Sequence, residues 1–91
     1  MLGALTDRHS ITNNSTDRNL NNYTSSGVYA VNAEITNGPN ITEAWFGGTL
    51  VVYGSSDSVS GAPVTQVLYY QGGATYYRTC WVGIWSSWIE K

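Results

Sequence analysis

The alternation of apolar and polar positions is clearest in the last third of the chain, residues 63–91, which read PVTQVLYYQGGATYYRTCWVGIWSSWIEK. Two runs of β-branched and aromatic residues flank the pair Gly72–Gly73, and glycine pairs are typical of the tight turns that join antiparallel strands. The pattern therefore predicts a hairpin with strands over about 63–70 and 75–82. A short last strand is expected over 84–89.

Two further strands are predicted in the middle of the chain. Residues 28–35 (VYAVNAEI) are apolar at every second position, which is typical of a strand with one buried face. The turn-forming residues 37–40 (NGPN) end this strand, and a short apolar strand follows over 49–53 (TLVVY). Together the elements predict an all-β fold, a small antiparallel sheet or sandwich of four to five short strands.

The N-terminal region is polar and lacks a regular period. Residues 1–18 are expected to form an extended lead-in or a stalk remnant, with the domain itself over 19–91. Within residues 19–27, Asn and Ser favour caps and turns, so one helical turn is predicted around Leu20 and Tyr23. These two side chains are three positions apart and can both point inward.

The chain is short and poor in charge, which narrows the classes of partner. It has 91 residues, four Lys and Arg, and six Asp and Glu, for a formal net charge of -2. Nucleic acids and anionic membrane surfaces are bound by clustered Lys and Arg, so neither is an expected partner. No apolar run approaches the roughly 20 residues of a spanning helix, so no membrane insertion is expected.

A domain of this size buries only roughly 60–65% of its unfolded surface and is marginal as a monomer. Cys80 is the only cysteine and His9 the only histidine, so neither an internal disulfide nor a zinc cluster can stabilise it. Oligomerisation is the remaining means of stabilisation.

The residue sets of common catalytic sites are missing or scattered. A nucleophilic triad needs a base, and the only histidine lies in the lead-in. The six acids are spread over the lead-in, a strand, the loops and the C-terminal end, which favours surface acids over a glycosidase pair. The sequence predicts a protein that is not an enzyme, with no cofactor and no metal.

The tyrosine pairs are candidates for ligand binding. Neighbouring residues of a strand face opposite sides, so one ring of Tyr69 and Tyr70 is expected on an outer face, and likewise one of Tyr76 and Tyr77. Outward tyrosine rings are suited to stacking on sugars.

Arg78 and the C-terminal tryptophans leave alternatives open. One interpretation of Arg78 is a clamp for a sugar phosphate or carboxylate, and the favoured one is an arginine stacked on a tyrosine or bonded to carbonyls of a neighbouring subunit. Trp85 and Trp88 would face opposite sides of a strand, which is favoured over a two-tryptophan sugar platform. Cys80 falls on the face of Tyr76 and Arg78, where a buried free thiol is expected. The candidate ligand-binding residues are Tyr69, Tyr70, Tyr76, Tyr77, Arg78 and Trp88.

Six short motifs follow one another through residues 18–91. They are NLN at 19–21, TSSGVY at 24–29, GTLVV at 48–52, VTQVLY at 64–69, YRT at 77–79 and WSSW at 85–88. In this order and spacing they resemble the pyocin-knob family, whose domains occur at or near the tips of phage tail fibres, R-type pyocin fibres and some phage depolymerases. The sequence departs from the family pattern at Ser26, where Pro is frequent, and at Cys80–Trp81, which leaves the surface chemistry open.

The resemblance implies a homotrimeric, non-enzymatic knob on a virion tail fibre or an extracellular tailocin fibre. Such a knob contacts the bacterial surface through polysaccharide or lipopolysaccharide. The alternative is a structural trimerisation or capping module of a fibre or depolymerase with no ligand of its own; a free-standing glycan hydrolase is a distant third. The residues for which the resemblance implies structural roles are Leu20, Gly27, Tyr29, Thr65, Gln66 and Trp85.

Overall fold

A computed structural model describes residues 9–39, 45–54 and 63–91 and shows a single curled β-sheet. Neighbouring strands are antiparallel, except that β1 runs parallel to β2. The strands are β1 (Ile11–Thr12), β2 (Gly27–Glu34), β3 (Trp45–Tyr53), β4 (Val64–Tyr70), β5 (Thr75–Trp81), β6 (Ile84–Trp85) and β7 (Ile89–Glu90). The all-β prediction is confirmed, and a sheet forms rather than a sandwich. The described residues hold seven strands in place of the four to five predicted, because short edge strands add to both sides, and the β1–β2 pair makes the sheet mixed.

The predicted hairpin forms between β4 and β5. At its turn, Tyr70 accepts a hydrogen bond from the backbone N–H of Gly73, at 2.9 Å, and donates to the carbonyl of Ala74. Gly73 has a φ of 101°, a conformation that side chains disfavour and glycine adopts freely. The second glycine of the pair therefore makes the turn possible.

Strand β3 begins at Trp45, four residues before the predicted start at Thr49. The extension includes two glycines, which have low strand propensity. It forms because β2 is paired along its whole length, with Gly27 opposite Val52 and Glu34 opposite Trp45. Cross-strand hydrogen bonds to β2 thus outweigh the local preference of the glycines.

The described part of the predicted lead-in is extended but is packed against the sheet. Residues 11–12 form β1 at the edge of β2, and the side chain of Ile11 is completely buried. The predicted helical turn is present as a 3₁₀ turn, Leu20–Asn22, capped by the side chain of Asn19. One buried isoleucine in a polar stretch creates no periodic pattern, which is why the sequence did not predict this contact. The rest of the lead-in, residues 1–8, lies outside the described residues.

The core lies between one face of the sheet and the segment that contains β1 and the 3₁₀ turn. Alternate residues of β2 are buried, as predicted, and their neighbours face solvent. The buried apolar cluster consists of Ile11, Leu20, Tyr23, Tyr29, Val31, Ala33, Phe46, Leu50, Val52 and Leu68.

Gly48 is expected to tolerate no side chain. A Cβ at this position would overlap the backbone carbonyl of Tyr69 in β4 and meet the ring of Phe46. We expect Gly48→Ala to lower the free energy of unfolding by about 2 kcal/mol or more, because β3 and β4 must separate to admit the methyl group. Urea denaturation measures this, with Ala30→Ser on the exposed side of β2 as the control. Equal stability of the two variants would contradict the close approach of the strands.

Candidate functional site

Arg78 is enclosed rather than presented to solvent. Only 4% of its surface is exposed, and its Nε donates to Oε1 of Gln66 at 2.9 Å. The guanidinium carbon lies 3.9 Å from the ring centroid of Trp85 and 4.5 Å from that of Trp88. The interpretation of Arg78 as an open clamp for an acidic ligand is therefore wrong. The alternative of stacking on a tyrosine is also wrong, because the rings that stack on the guanidinium are tryptophans.

Gln66 connects Arg78 to the N-terminal segment. Its side chain is fully buried, and its Nε2 donates to the carbonyls of Leu20 at 2.7 Å and Tyr23 at 2.8 Å. Both amide protons and the amide oxygen are thus satisfied, as a buried amide requires. Gln66 and Leu20, two of the residues for which the resemblance implies a structural role, meet directly in this contact.

The two tryptophans lie on the same face because the edge strand contains a bulge. Cys80 lies opposite Trp85. Tyr77 lies opposite Ile89. Between these two pairs the edge segment therefore has four steps, from Trp85 to Ile89, where β5 has three, from Cys80 to Tyr77. The extra residue reverses the alternation of side chains, which brings Trp88 beside Trp85. The prediction that one tryptophan is buried and the other exposed is therefore wrong: both are half-buried.

Ser86 and Trp88 fix the two ends of this bulge. The hydroxyl of Ser86 accepts a hydrogen bond from the backbone N–H of Thr79, and its own N–H donates to the carbonyl of Thr79 at 2.8 Å. Trp88 donates from Nε1 to the carbonyl of Asn37, at 2.9 Å. The aromatic pair around Arg78 is thereby tied to the turn after β2.

Burial sets the ionisation of Arg78. Desolvation lowers the pKa of the guanidinium to about 10, and the Cys80 thiol weakly opposes this shift. Nη2 of Arg78 has no hydrogen-bond partner in the part of the chain that the structure describes. The cation is therefore stabilised chiefly by the indole faces and Gln66. The free thiol of Cys80 is buried on the same face, as predicted.

The tyrosine pairs divide between the two faces as predicted. Tyr70 and Tyr76 are half-buried and pack against the core. Tyr69 is 46% exposed, and Tyr77 is half-buried, with Nζ of Lys91 6.0 Å from its ring centroid. The candidate list is therefore corrected to the outward rings, Tyr69 and Tyr77, since Tyr70, Tyr76, Arg78 and Trp88 face the core.

The side of the sheet away from the core, called the outer face below, is apolar along its middle. Rows of threonine flank this middle, and Tyr69 stands in one of them, between Thr49 and Thr75. At one end the β5–β6 turn exposes Trp81 and Ile84 to 65% and 74%. The apolar row has five residues in register on five strands: Val28, Val51, Val67, Tyr77 and Ile89.

A polar cleft of about 350 Å³ lies on the other side of the molecule, where the N-terminal segment meets β2. Nε2 of His9 is 3.2 Å from the hydroxyl of Tyr23, which donates to the backbone carbonyl of Asp17 at 2.6 Å. The rings of Tyr23 and Tyr29 meet edge to face, with centroids 4.9 Å apart. The cleft is lined by His9, Ser15, Thr16, Asp17, Asn22, Tyr23, Thr24, Ser25 and Tyr29.

Sequence reasoning did not identify this cleft. Both His9 and Asp17 belong to the region expected to be a lead-in. The residues that line the cleft are spread over 9–29, so no short motif marks it. The density of Asn, Ser and Thr between residues 13 and 26 was the available signal.

Comparison with known proteins identifies no relative, since no family model, curated protein or solved structure matches the chain. The resemblance to the pyocin-knob family therefore stays a prediction. Within residues 9–39, 45–54 and 63–91, no group of three or more His, Cys, Asp and Glu side chains is placed to hold a metal. The same residues contain no helix that is long and apolar enough to span a membrane.

Replacement of Gln66 tests the buried network. We expect Gln66→Leu, which preserves volume, to lower the free energy of unfolding by about 3 kcal/mol or more, because two carbonyls and the Nε of Arg78 lose their partner. Thr65→Val, one residue away on the outer face, is the control and should change stability by less than about 1 kcal/mol. Chemical denaturation measures both, and similar losses would refute the role of the amide.

The raised pKa of the Tyr23 phenol predicts that the folded protein loses stability at alkaline pH. Its pKa is raised above 10.0, first by burial and then by the charges of Asp17 and Tyr29. A raised pKa means that folding favours the neutral phenol, so its contribution is complete below about pH 10 and is lost as pH rises through the folded-state pKa. Tyr23→Phe should cost about 1 kcal/mol at neutral pH through the hydrogen bond to Asp17. The difference from wild type, followed by urea denaturation, should shrink above pH 10; a constant difference would contradict the assignment.

Proposed function

We propose that this domain is a non-enzymatic, receptor-binding knob of a phage tail fibre or tailocin fibre. It acts as a homotrimer and contacts polysaccharide or lipopolysaccharide of the bacterial surface. The observation that carries the proposal is the outer face, which combines exposed aromatic rings and threonine hydroxyls with very little charge.

Chemistry supports a glycan as the ligand of the outer face. The C–H groups of a sugar ring pack against aromatic faces, and the exposed rings of the outer face among the described residues are Tyr53, Tyr69 and Trp81. The hydroxyls of Thr49 and Thr75, on either side of Tyr69, add hydrogen-bonding groups without charge. Charged residues of this face stand at its margins, at Glu34 and Lys91 among the residues that are described.

The arrangement of acids supports a binding role over hydrolysis. Of the described carboxylates, Asp17 precedes the 3₁₀ turn, Glu34 ends β2 and Glu90 lies in β7. Asp17 and Glu34 are also on different sides of the sheet, so they do not form the facing pair that glycoside hydrolysis requires.

The apolar row favours a second candidate function, a structural trimerisation module with no ligand. A sheet face that remains in water normally alternates with polar residues, whereas this row is apolar on five consecutive strands. Val51 is already buried within one chain, whereas the other four residues of the row keep exposed area. Packing of these rows between copies would remove that area from water and would stabilise a domain that is marginal alone.

The test is binding of fluorescently labelled protein to intact bacteria with smooth and rough surface polysaccharide. We expect strain-selective binding that Tyr69→Ala combined with Trp81→Ala reduces by about tenfold or more, since stacked rings contribute roughly 1–3 kcal/mol. The oligomer mass, measured by light scattering on the same samples, should be unchanged in this variant.

A separate substitution distinguishes the second candidate. Val67→Lys places a charge in the middle of the apolar row, at a half-buried position that a single sheet can solvate. Loss of the oligomer in Val67→Lys, together with wild-type protein that binds no strain, would favour the structural module and reject receptor binding.

A further inference from the structure

The cleft beside the 3₁₀ turn has the size and lining of a small-ligand site. Its volume of about 350 Å³ is at the lower end for ligand pockets. We propose that it binds a single neutral sugar residue through Asp17, Asn22 and the ring of His9. This site lies on the opposite side of the sheet from the outer face, so it goes beyond the proposed function and can be tested independently.

Asp17 is held in place for hydrogen bonding. Its Oδ1 accepts from the backbone N–H of Asn19 at 3.1 Å and from Nδ2 of Asn22 at 3.2 Å. Its Oδ2 has no hydrogen-bond partner within the described part of the chain. One oxygen therefore fixes the carboxylate, and the other can accept a hydroxyl proton of a ligand without any rearrangement.

Asn22 adds a second hydrogen-bonding group beside Asp17. Because Nδ2 donates to Asp17, the amide orientation is set and its oxygen is left as an acceptor. A carboxylate beside an amide matches two adjacent hydroxyls of a sugar, and the hydroxyls of Thr16, Thr24 and Ser25 line the same cleft.

His9 provides a flat wall. Its ring centroid is 5.8 Å from that of Tyr23 and 5.5 Å from that of Tyr29, and its Nε2 contacts the Tyr23 hydroxyl. His9 is an exposed residue, so its ring is accessible and the C–H groups of a sugar can pack against it.

Charge limits the ligand to neutral sugars. Among the described residues that line the cleft, Asp17 is the one carboxylate and none is Lys or Arg. Uronic acids would place a second carboxylate near Asp17, where like charges repel. A neutral hexose or N-acetylhexosamine satisfies the same hydrogen bonds without that cost.

The experiment is a titration of isotopically labelled protein, followed by backbone amide NMR, with glucose, galactose, mannose, N-acetylglucosamine and glucuronic acid in the millimolar range. At least one neutral sugar is expected to shift the amides of residues 15–17 and 22–25 in a saturable manner, and glucuronic acid is expected to bind more weakly. Absence of saturable shifts at these amides with every neutral sugar would overturn the proposal.

Matched variants identify the contacts. Asp17→Asn keeps an oxygen for the N–H of Asn19 but replaces the free acceptor, and should weaken neutral-sugar binding by about tenfold. Glu34→Gln makes the same chemical change outside the cleft and should bind as wild type. If Asp17→Asn does not fold, His9→Ala replaces it, with a similar weakening expected. Unchanged affinity in the cleft variant, or equal weakening in Glu34→Gln, would refute the site.

The two proposals fail in different ways. Substitution of Tyr69 and Trp81 affects cell binding through the outer face and leaves the sugar titration of the cleft unchanged. Cell binding that persists without sugar shifts at the cleft rejects the cleft alone. Sugar shifts at the cleft in a protein that binds no bacterial strain reject the proposed function alone.

Discussion

The fold depends on one buried amide. Gln66 lies in the middle of β4, where a strand needs no side-chain hydrogen bond, yet its three polar groups are bonded to the 3₁₀ turn and to Arg78. An amide without partners in this position would cost several kcal/mol, so sheet and N-terminal segment must close together for either to be stable. The turn has few backbone hydrogen bonds of its own, and Gln66 replaces what a longer helix would provide.

The charge of Arg78 depends on the same packing of the N-terminal segment against the sheet. A buried guanidinium is costly, which its lowered pKa reflects, and the indole rings of Trp85 and Trp88 replace part of its lost hydration. Trp85 reaches Arg78 through its pairing with Cys80, and Trp88 reaches it because the edge strand bulges between Ser86 and Ile89. The spacing of the WSSW motif thus has a structural cause: one serine bonds the edge of β5, and the added residue turns the second tryptophan inward.

Much of this sheet could be predicted from local sequence. The interactions that hold the N-terminal segment against the sheet could not. Alternation in 28–35 and the glycine pair of the hairpin are short-range signals, so β2, β4 and β5 were predictable. The early start of β3 could not be predicted without knowing its pairing with β2. The bulge could not be predicted without knowing the register of the edge strand on β5. Ile11, Gln66 and Arg78 are each a single residue whose role depends on a contact distant in sequence, and no period reveals that. The alternation along a strand divided the tyrosine pairs between faces correctly. For Arg78 the favoured prediction was stacking on a tyrosine, and the structure places two tryptophans there instead.

The two surfaces of the molecule differ in what they could contribute to assembly and to recognition. The core face of the sheet is occupied by the chain's own N-terminal segment, which leaves the outer face as the one broad apolar surface among the described residues. If copies pack through that face, its rings are lost to ligands unless they lie at the margin, where Trp81 and Ile84 project. The cleft is formed by the N-terminal segment on the opposite side, away from the outer face. The proposed trimer, if held by the apolar row, would therefore present one such cleft from each subunit, and several weak sites can together hold a repetitive glycan through multivalency.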